Sequence, residues 1–322
     1  MTNAVIMAAG MSSRFAPLSF EKPKGLFRVK GEILIEREIR QLQEVGITDI
    51  TVVAGYMKEK FFYLEEKFGV KIVVNEDYYK YNNPSTLIRV LDKLENTYIC
   101  SCDNYFVDNV FEEQPNYAYY AAVYAEGPTE EYCLRTDTEG RIIDVHIGGH
   151  DSWYMLGHVY FDEEFSKRFK KILVAEYEEA KDYLWEKIYM KHLDELDMRI
   201  RKYDADKVLE FDSLDDLCSF DPGYISNTDS RILYNICNTL NCKVKDIIDI
   251  RVIKNGSINA SFKFTVRGKD YVYCHFNMNT EESMKDISKS NDTFVYRDIK
   301  AGWKISRYTR EMDYYNDETD RK

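Results

Sequence analysis

The first hundred residues switch repeatedly between two hydrophobic periods. NAVIMAA, residues 3–9, is a continuous apolar run of strand length, too short for a buried helix. ILIEREIRQLQEVG places Ile35, Ile39 and Leu42 on one helical face and ends on Gly46. DITVVAG then reads as a strand, KEKFFYLEEKFG as an amphipathic helix closed by Gly69, and KIVVN as a strand. PSTLIRVLDKL reads as a helix and TYICSCDN as a strand. Strands separated by helices of this length need parallel crossovers, so the pattern predicts a doubly wound, mostly parallel α/β sheet. Ligands of such sheets lie beyond the carboxyl ends of the strands. The segment after NAVIMAA and Asp103 after TYICSC both occupy such ends.

From residue 117 to 162 the pattern becomes strand-only, with YAYYAAVYAE, EYCLRTD, RIIDVHIGG and SWYMLGHVYFD. This predicts an antiparallel extension forming one wall of a substrate pocket. Helical spacing returns in EEFSKRFKKILVAEY and DYLWEKIYMKHLDEL, followed by short strands at RIRKYD and VLEFDS. A second unit is expected to begin near 225, giving domains 1–224 and 225–322, the latter a small α+β domain. In it SRILYNICNTLN reads as a helix, and five short strands follow up to GWKISRY.

A chain of 322 residues is longer than one average domain, which agrees with two. The formal net charge of −12 repels nucleic acids and anionic membranes, so neither is an expected partner. An anionic ligand must be held by local basic groups, backbone N–H groups or a metal ion. The seven cysteines, at 100, 102, 133, 218, 237, 242 and 274, show no zinc spacing and read as reduced thiols. The N-terminus lacks the basic region and long apolar run of a signal peptide, and no segment is long enough to cross a bilayer. A cytoplasmic protein without membrane insertion is therefore expected. His146, His150, His158, His192 and His275 make no metal or triad spacing.

The chemistry concentrates in MAAGMSSRFAPLSFEKPKGL, residues 7–26. Gly10, Ser12 and Ser13 let backbone N–H groups converge on an anion without Cβ clashes. Arg14 adds a planar fork of donors and Lys24 a movable point charge. Neither a dinucleotide fingerprint nor a P-loop is present. A phosphate cradle and a plain surface loop both fit the residues alone.

AAGMSSRFAPLSFEKPKGLFRVKGEILI resembles the signature of nucleotidyltransferases that activate sugar phosphates or phosphocholine. It departs at Ser12, where glycine is usual, and at Glu32-Ile33 before Leu34. GITDITVVAGYMKEKFFYLEEKFGVKIVVNEDYYKYNNPSTLIRVLD and SCDNYF resemble the bacterial CTP:phosphocholine cytidylyltransferase branch, as do TEEYCL, DYLWE and EFDSLDDL. The resemblance covers about residues 3–220 and implies a Rossmann-like nucleotidyltransferase sheet. It further implies a transfer in which a substrate phosphate attacks the α-phosphorus of CTP and pyrophosphate leaves, with Mg²⁺ as cofactor.

The resemblance implies roles residue by residue. Arg14, Lys24 and Asp103 are the catalytic candidates. Nucleotide contacts fall to Ala8, Ala9, Gly10, Met11, Ser12, Ser13, Arg14 and Lys24, with Asn82, Asn83 and Ser85 reading the base. Asp103 and Asp212 match metal-binding aspartates, with Glu186 as a further candidate for the metal or the choline cation. Helix N-capping is the alternative for Asp103, Asp212 and Asn83. A quaternary ammonium needs aromatic faces and a carboxylate, and Tyr132, Tyr160, Asp182, Tyr183, Trp185 and Glu186 are the candidates. Tyr132 stands where a tryptophan is frequent, and core packing is the alternative for each aromatic.

Residues 250–312 resemble the N-terminal lobe of bacterial choline kinases, through GSINASF, DYVYCHFNMNTEE and NDTFVYRDIKAGWKISRY. Cys274, Phe276, Asn277 and Asn279 replace that pattern's arginine, proline and glycines, and the catalytic H-x-D lobe is absent. No kinase activity is expected of it; a degenerate remnant, a surface for self-association or partner binding, and the start of a truncated fusion are the readings left open. The leading expectation is an enzyme making CDP-choline. The alternatives are a sugar-1-phosphate nucleotidyltransferase, a nucleotide-binding regulator without catalysis, and a kinase-like scaffold.

Overall fold

The computed structural model describes residues 1–252, 260–275, 292–299 and 302–310. The chain divides into two compact units: Met1–Met11 with Lys22–Phe211, and Ser12–Glu21 with Asp212–Lys322. Ten residues of the signature loop thus belong with the C-terminal part of the chain.

The first unit begins with β1 (Asn3–Ala8), α1 (Leu34–Glu44), β2 (Ile50–Ala54), α2 (Tyr63–Phe68), β3 (Lys71–Val74) and α3 (Pro84–Leu87). There follow β4 (Thr97–Ser101), β5 (Asn104–Phe106), β6 (Tyr119–Thr136) and β7 (Ile142–Phe161). It closes with α4 (Glu163–Ala180), α5 (Glu186–Lys191), β8 (Arg199–Tyr203) and β9 (Val208–Glu210). The main sheet has seven strands in the order β8-β6-β7-β4-β1-β2-β3. Strand β1 pairs parallel with β2 and β4, β2 with β3, and β6 with β8; β7 runs antiparallel between β4 and β6. This is the predicted doubly wound sheet with an antiparallel insertion.

Alternation along the central strands builds two cores. Ala4, Ile6 and Ala8 face Ile35, Ile39 and Leu42 of α1, while Val5 faces the core holding Leu87, Phe165 and Trp185. Burying the larger of these side chains, the valine, isoleucines and leucines, contributes about 1.5–3 kcal/mol each and sets the register, because a one-residue slip would exchange the two faces.

The four short strands expected over 117–162 are two long ones, β6 and β7, folded back on themselves. Register shifts lie between Ala125 and Pro128 and between Thr129 and Tyr132. Bulges bend paired strands, and here Cys133 reaches both His146 and Tyr154 across the bend. The hairpin end returns to the start of β8, where Ile142 N donates to Met198 O and Ile200 N to Gly140 O, both at 2.9 Å. Leu134, Ile142 and Val145 thereby enter the Trp185 core.

In the second unit, α6 (Leu214–Phe220), α7 (Tyr224–Asn227) and α8 (Arg231–Leu240) precede β10 (Ile247–Val252), β11 (Ala260–Val266), β12 (Lys269–His275), β13 (Asp292–Ile299) and β14 (Gly302–Arg310). The five strands form an antiparallel meander in chain order. Most of GSINASF and the stretch from Phe276 through TEE lie outside the described residues.

Candidate active site

Strand β1 ends at Ala8 and delivers Ala9 and Gly10 to a cleft of about 370 Å³. Asn75, Tyr78, Asn82, Asn83 and Asp182 are among its other lining residues. A Cβ built on Gly10 meets nothing within 4 Å, and Gly10 is not among the positive-φ residues. The fold itself therefore does not demand glycine here; the absent side chain leaves room in the cleft. Ala8 and Ala9 are buried and Met11 is exposed.

The cleft floor is pinned by Asn75, which the sequence reading did not single out. Its Nδ2 donates to Ser85 Oγ at 2.9 Å and Thr86 Oγ1 at 3.2 Å, and its Oδ1 accepts from Asp77 N at 3.0 Å. Ser85 is thus spent on holding the end of β3 to α3 and does not line the cleft. The signal that could have found Asn75 is a polar residue in the first position after an apolar strand. Asn82 is exposed in the cleft, and its backbone N donates to Lys181 O at 2.7 Å.

Asn83 makes no side-chain cap to α3. Its Oδ1 instead accepts from Trp185 N at 2.7 Å, tying the cleft to α5. Trp185 is 1% exposed and stacks on Tyr120 with ring centroids 5.9 Å apart and planes at 10°. Tyr120 Oη donates to Glu186 Oε1 at 3.0 Å. Glu186 Oε2 is buried with no hydrogen-bond partner among the described residues. Burial pushes the Glu186 carboxyl up to about 7, against partial relief from its own backbone N–H, Tyr120 and the Asn83 side chain. The folded-back hairpin brings in Tyr132, whose phenol is pushed up by burial and then by the Glu186 charge.

The other expected cation-site residues are placed elsewhere. Tyr160 is a correction: alternation along β7 sends Phe161 to the Trp185 face and Tyr160 to the opposite core. There its ring lies 5.0 Å from Tyr98, and its hydroxyl donates to Asn96 Oδ1 at 3.3 Å. Tyr183 is exposed, with Lys187 Nζ 4.3 Å from its ring centroid. Asp182 lines the cleft beside Asn82 and Asn83.

A second constellation lies at the end of β4. Lys24 Nζ donates to Asp103 Oδ2 at 2.7 Å, and Lys24 is only 5% exposed. A Cβ on Gly25 would stand 2.9 Å from Cys102 Cβ, so glycine permits the close approach that sets Lys24 against Asp103. Asp103 precedes a strand, which removes the N-cap reading. Its Oδ1 is buried without a hydrogen-bond partner among the described residues. Glu38 of α1 is buried in the same neighbourhood; burial first, and then the Asp103 charge, raises its pKa. The sequence reading missed it, although Glu38 shares the helical face of Ile35, Ile39 and Leu42. The same environment raises the pKa of the Cys100 thiol.

In the second unit, Arg14 Nη2 donates to Asp212 Oδ1 at 2.7 Å, both side chains being exposed. The cap of α6 is Ser213, in a capping box with Asp216, and not Asp212. Ser12 has φ 51° and ψ 37°, the left-handed conformation that favours glycine, at the position where the resembling pattern carries glycine. Ser13 is exposed at the start of the short helical turn Ser13–Phe15.

Residues 4–131 match the MobA-like NTP transferase domain. A 2-aminoethylphosphonate cytidylyltransferase from Lancefieldella rimae is 36% identical over 230 residues, covering 70% of this chain and 94% of that protein. A choline-phosphate cytidylyltransferase from Streptococcus pneumoniae is 32% identical over 215 residues, covering 66% of this chain and 94% of that protein. The chain belongs to the cytidylyltransferase family of nucleotidyltransferases. The solved CTP:phosphocholine cytidylyltransferase from Streptococcus pneumoniae superposes with a TM-score of 0.67 at 31% identity, covering 69% of this chain and 98% of that one.

This cytidylyltransferase family member gathers its expected residues into distinct groups. Ala9, Gly10, Asn82, Asn83 and Asp182 share the cleft; Tyr120, Tyr132, Trp185 and Glu186 form an aromatic–carboxylate cluster; Lys24 pairs with Asp103 and Arg14 with Asp212. Tyr120 was not foreseen, since it reads as one of several tyrosines in an apolar strand. Among the described residues no group of three or more His, Cys, Asp or Glu side chains could hold a metal by itself. No helix among them is long and apolar enough to cross a membrane.

Proposed function

We propose that this protein transfers the cytidylyl group of CTP to phosphocholine, with Mg²⁺, releasing CDP-choline and pyrophosphate. The observation that carries the reading is the buried Glu186 carboxylate, which accepts from Tyr120, has Trp185 stacked on that tyrosine and Tyr132 within its field, and is joined to the cleft through Asn83. A buried carboxylate with an unpartnered oxygen is costly unless a cation completes it. Aromatic faces beside it suit a trimethylammonium group, which donates no conventional hydrogen bond. This role, and not metal ligation, is the one we assign to Glu186.

In the reaction a phosphate oxygen of phosphocholine forms a bond to the α-phosphorus, and the bond from that phosphorus to pyrophosphate breaks. The attacking oxygen is already anionic, so positioning and charge stabilisation do most of the work. Lys24 is buried and its ammonium is fixed by Asp103, so it is already oriented when a phosphate arrives and avoids the ordering cost a surface lysine would meet. Bound Mg²⁺ supplies phosphate neutralisation and stabilisation of the leaving group. The unpartnered Asp103 Oδ1 is the kind of hard oxygen donor that ion takes, alongside water and substrate phosphate. The roles of Arg14 toward phosphate and of Asp212 toward metal rest on the resemblance alone and are tested by their own substitutions.

The 36% identity to an aminoethylphosphonate enzyme favours a second reading, in which the acceptor is a phosphonate bearing a primary amine. Three N–H donors would then need acceptors, which three aromatic rings and one carboxylate supply less well. Pyrophosphate release decides between them, measured with CTP and phosphocholine against other nucleotides, 2-aminoethylphosphonate and sugar 1-phosphates, with Mg²⁺ and with chelator. Preference for the phosphonate would select the second reading. No release with any pair would sink both.

A further inference from the structure

We propose that Glu21 is a positioning residue for the nucleotide, acting through the signature loop, which it ties to helix α8. The inference rests on the cytidylyl-transfer reading above, together with the nucleotide contacts that the resemblance gives to Ser12, Ser13 and Arg14 of that loop. Glu21 Oε1 accepts from the backbone N–H groups of Arg231 at 2.7 Å and Ile232 at 3.2 Å, and Oε2 accepts from Ser230 Oγ. Ser230 Oγ itself accepts from Leu233 N at 3.1 Å, so Glu21 and Ser230 together satisfy the first turn of this ten-residue helix. A carboxylate there also meets the positive end of the helix dipole.

Two further contacts hold the same segment. The Phe20 ring lies 6.1 Å from that of Phe262 on β11, and Phe262 is itself buried and stacked on Tyr273 at 5.0 Å. Arg14 pairs with Asp212. Residues Ser12–Glu21 are thus anchored at positions 14, 20 and 21, all within the second unit. The segment folds into two short helical turns, Ser13–Phe15 and Leu18–Phe20, with Ser12 in a left-handed conformation, and the anchors at 14, 20 and 21 fasten these turns at both ends. Helix α8 and the five-stranded sheet hold these turns in place, which makes the C-terminal part of the chain a determinant of nucleotide affinity.

The test uses the full chain with Glu21→Ala, Glu21→Gln and Phe262→Ala. Glutamine keeps one acceptor oxygen for the two backbone N–H groups, so it should retain part of the effect. We expect Glu21→Ala and Phe262→Ala to raise the KM for the nucleotide about tenfold, the loss of one or two charge-assisted or packing contacts. The KM for the acceptor substrate should stay within about twofold, and Glu21→Gln should lie between wild type and alanine. Hydrogen exchange should show faster exchange in peptides covering 12–21. A nucleotide KM unchanged in both alanine variants, or a parallel loss for both substrates that follows a lower Tm, overturns the proposal. A wild-type protein inactive with every nucleotide would instead overturn the functional reading, and the exchange measurement separates the two.

Discussion

Glu186→Gln should make the protein more stable at neutral pH and a poorer binder of its cationic substrate. Burial raises the Glu186 carboxyl from 4.5 to about 7 in the folded protein. Below pH 4.5 it is protonated in both states and contributes no pH dependence. Between pH 4.5 and about 7 the unfolded chain ionises it while the folded protein keeps the proton, so folding stability falls as pH rises. Above that the loss is constant. The shift corresponds to about 3 kcal/mol. Glutamine does not titrate, so the stability difference between variant and wild type should grow by about 3 kcal/mol from pH 4.5 to 8. Any constant cost of an unpaired amide N–H cancels in that comparison. For a unit of this size the change is about 6–12 °C in relative Tm, read by differential scanning calorimetry.

On the proposed function the same group should set substrate affinity in the opposite sense. A cation binds the ionised form, whose fraction rises from roughly a tenth at pH 6 to nine-tenths at pH 8, so affinity should increase about tenfold. Choline is the proper probe, because it lacks a titrating phosphate. In Glu186→Gln the pH dependence should vanish and the affinity should stay low. A Tm difference that does not change with pH would refute the buried-ionisation argument. Choline binding that is equally pH-independent in both proteins would refute Glu186 as the counter-ion.

Gly10→Ala should leave Tm unchanged or slightly raised while raising the nucleotide KM at least about tenfold, because its methyl meets only cleft space. Gly25→Ala should instead cost about 1–3 kcal/mol in stability, since its Cβ would press on Cys102 at 2.9 Å. If thermal melts and kinetics show the reverse order, the assignment of the cleft is wrong. Asp103→Asn keeps the shape and one acceptor for Lys24 but removes the charge; kcat should fall about 10²–10³-fold with Mg²⁺ saturating, and near-normal turnover would refute the metal role. Ser12→Gly should raise stability by about 0.5–1 kcal/mol in urea unfolding by relieving its left-handed backbone, and a loss would contradict that strain.

The alternation of strand and helix was legible because each central strand is a short apolar run and each helix repeats at its own period. The candidate loop was legible as a cluster of small and basic residues, and Lys24 and Asp103 as residues at its far end and at a strand end. The long hairpin was not, because its bulges near Gly127 and Gly148 break the pattern as a true turn would. Asn83 read as a base contact and Asp212 as a metal ligand, with helix capping the alternative for both; the caps are absent or belong to Ser213, and both side chains meet partners far along the chain. Tyr160 and Phe161 are neighbours with equal aromatic character, and only the strand's alternation and its place in the sheet separate a core tyrosine from the Trp185 face.

Local physics, carried by the sequence alone, determined the α/β class, the strand ends at which the candidate residues lie, and the residue types able to hold phosphate. Tertiary structure decided which of them meet. The folded-back hairpin places Tyr132 within the field of Glu186, and burial makes an ordinary glutamate titrate near neutrality. The segment Ser12–Glu21 takes its anchors from helix α8 and Phe262, more than 200 positions along the chain. Contacts between residues so distant in sequence leave no periodic mark on either segment, because each partner satisfies its local pattern whether or not the other is present.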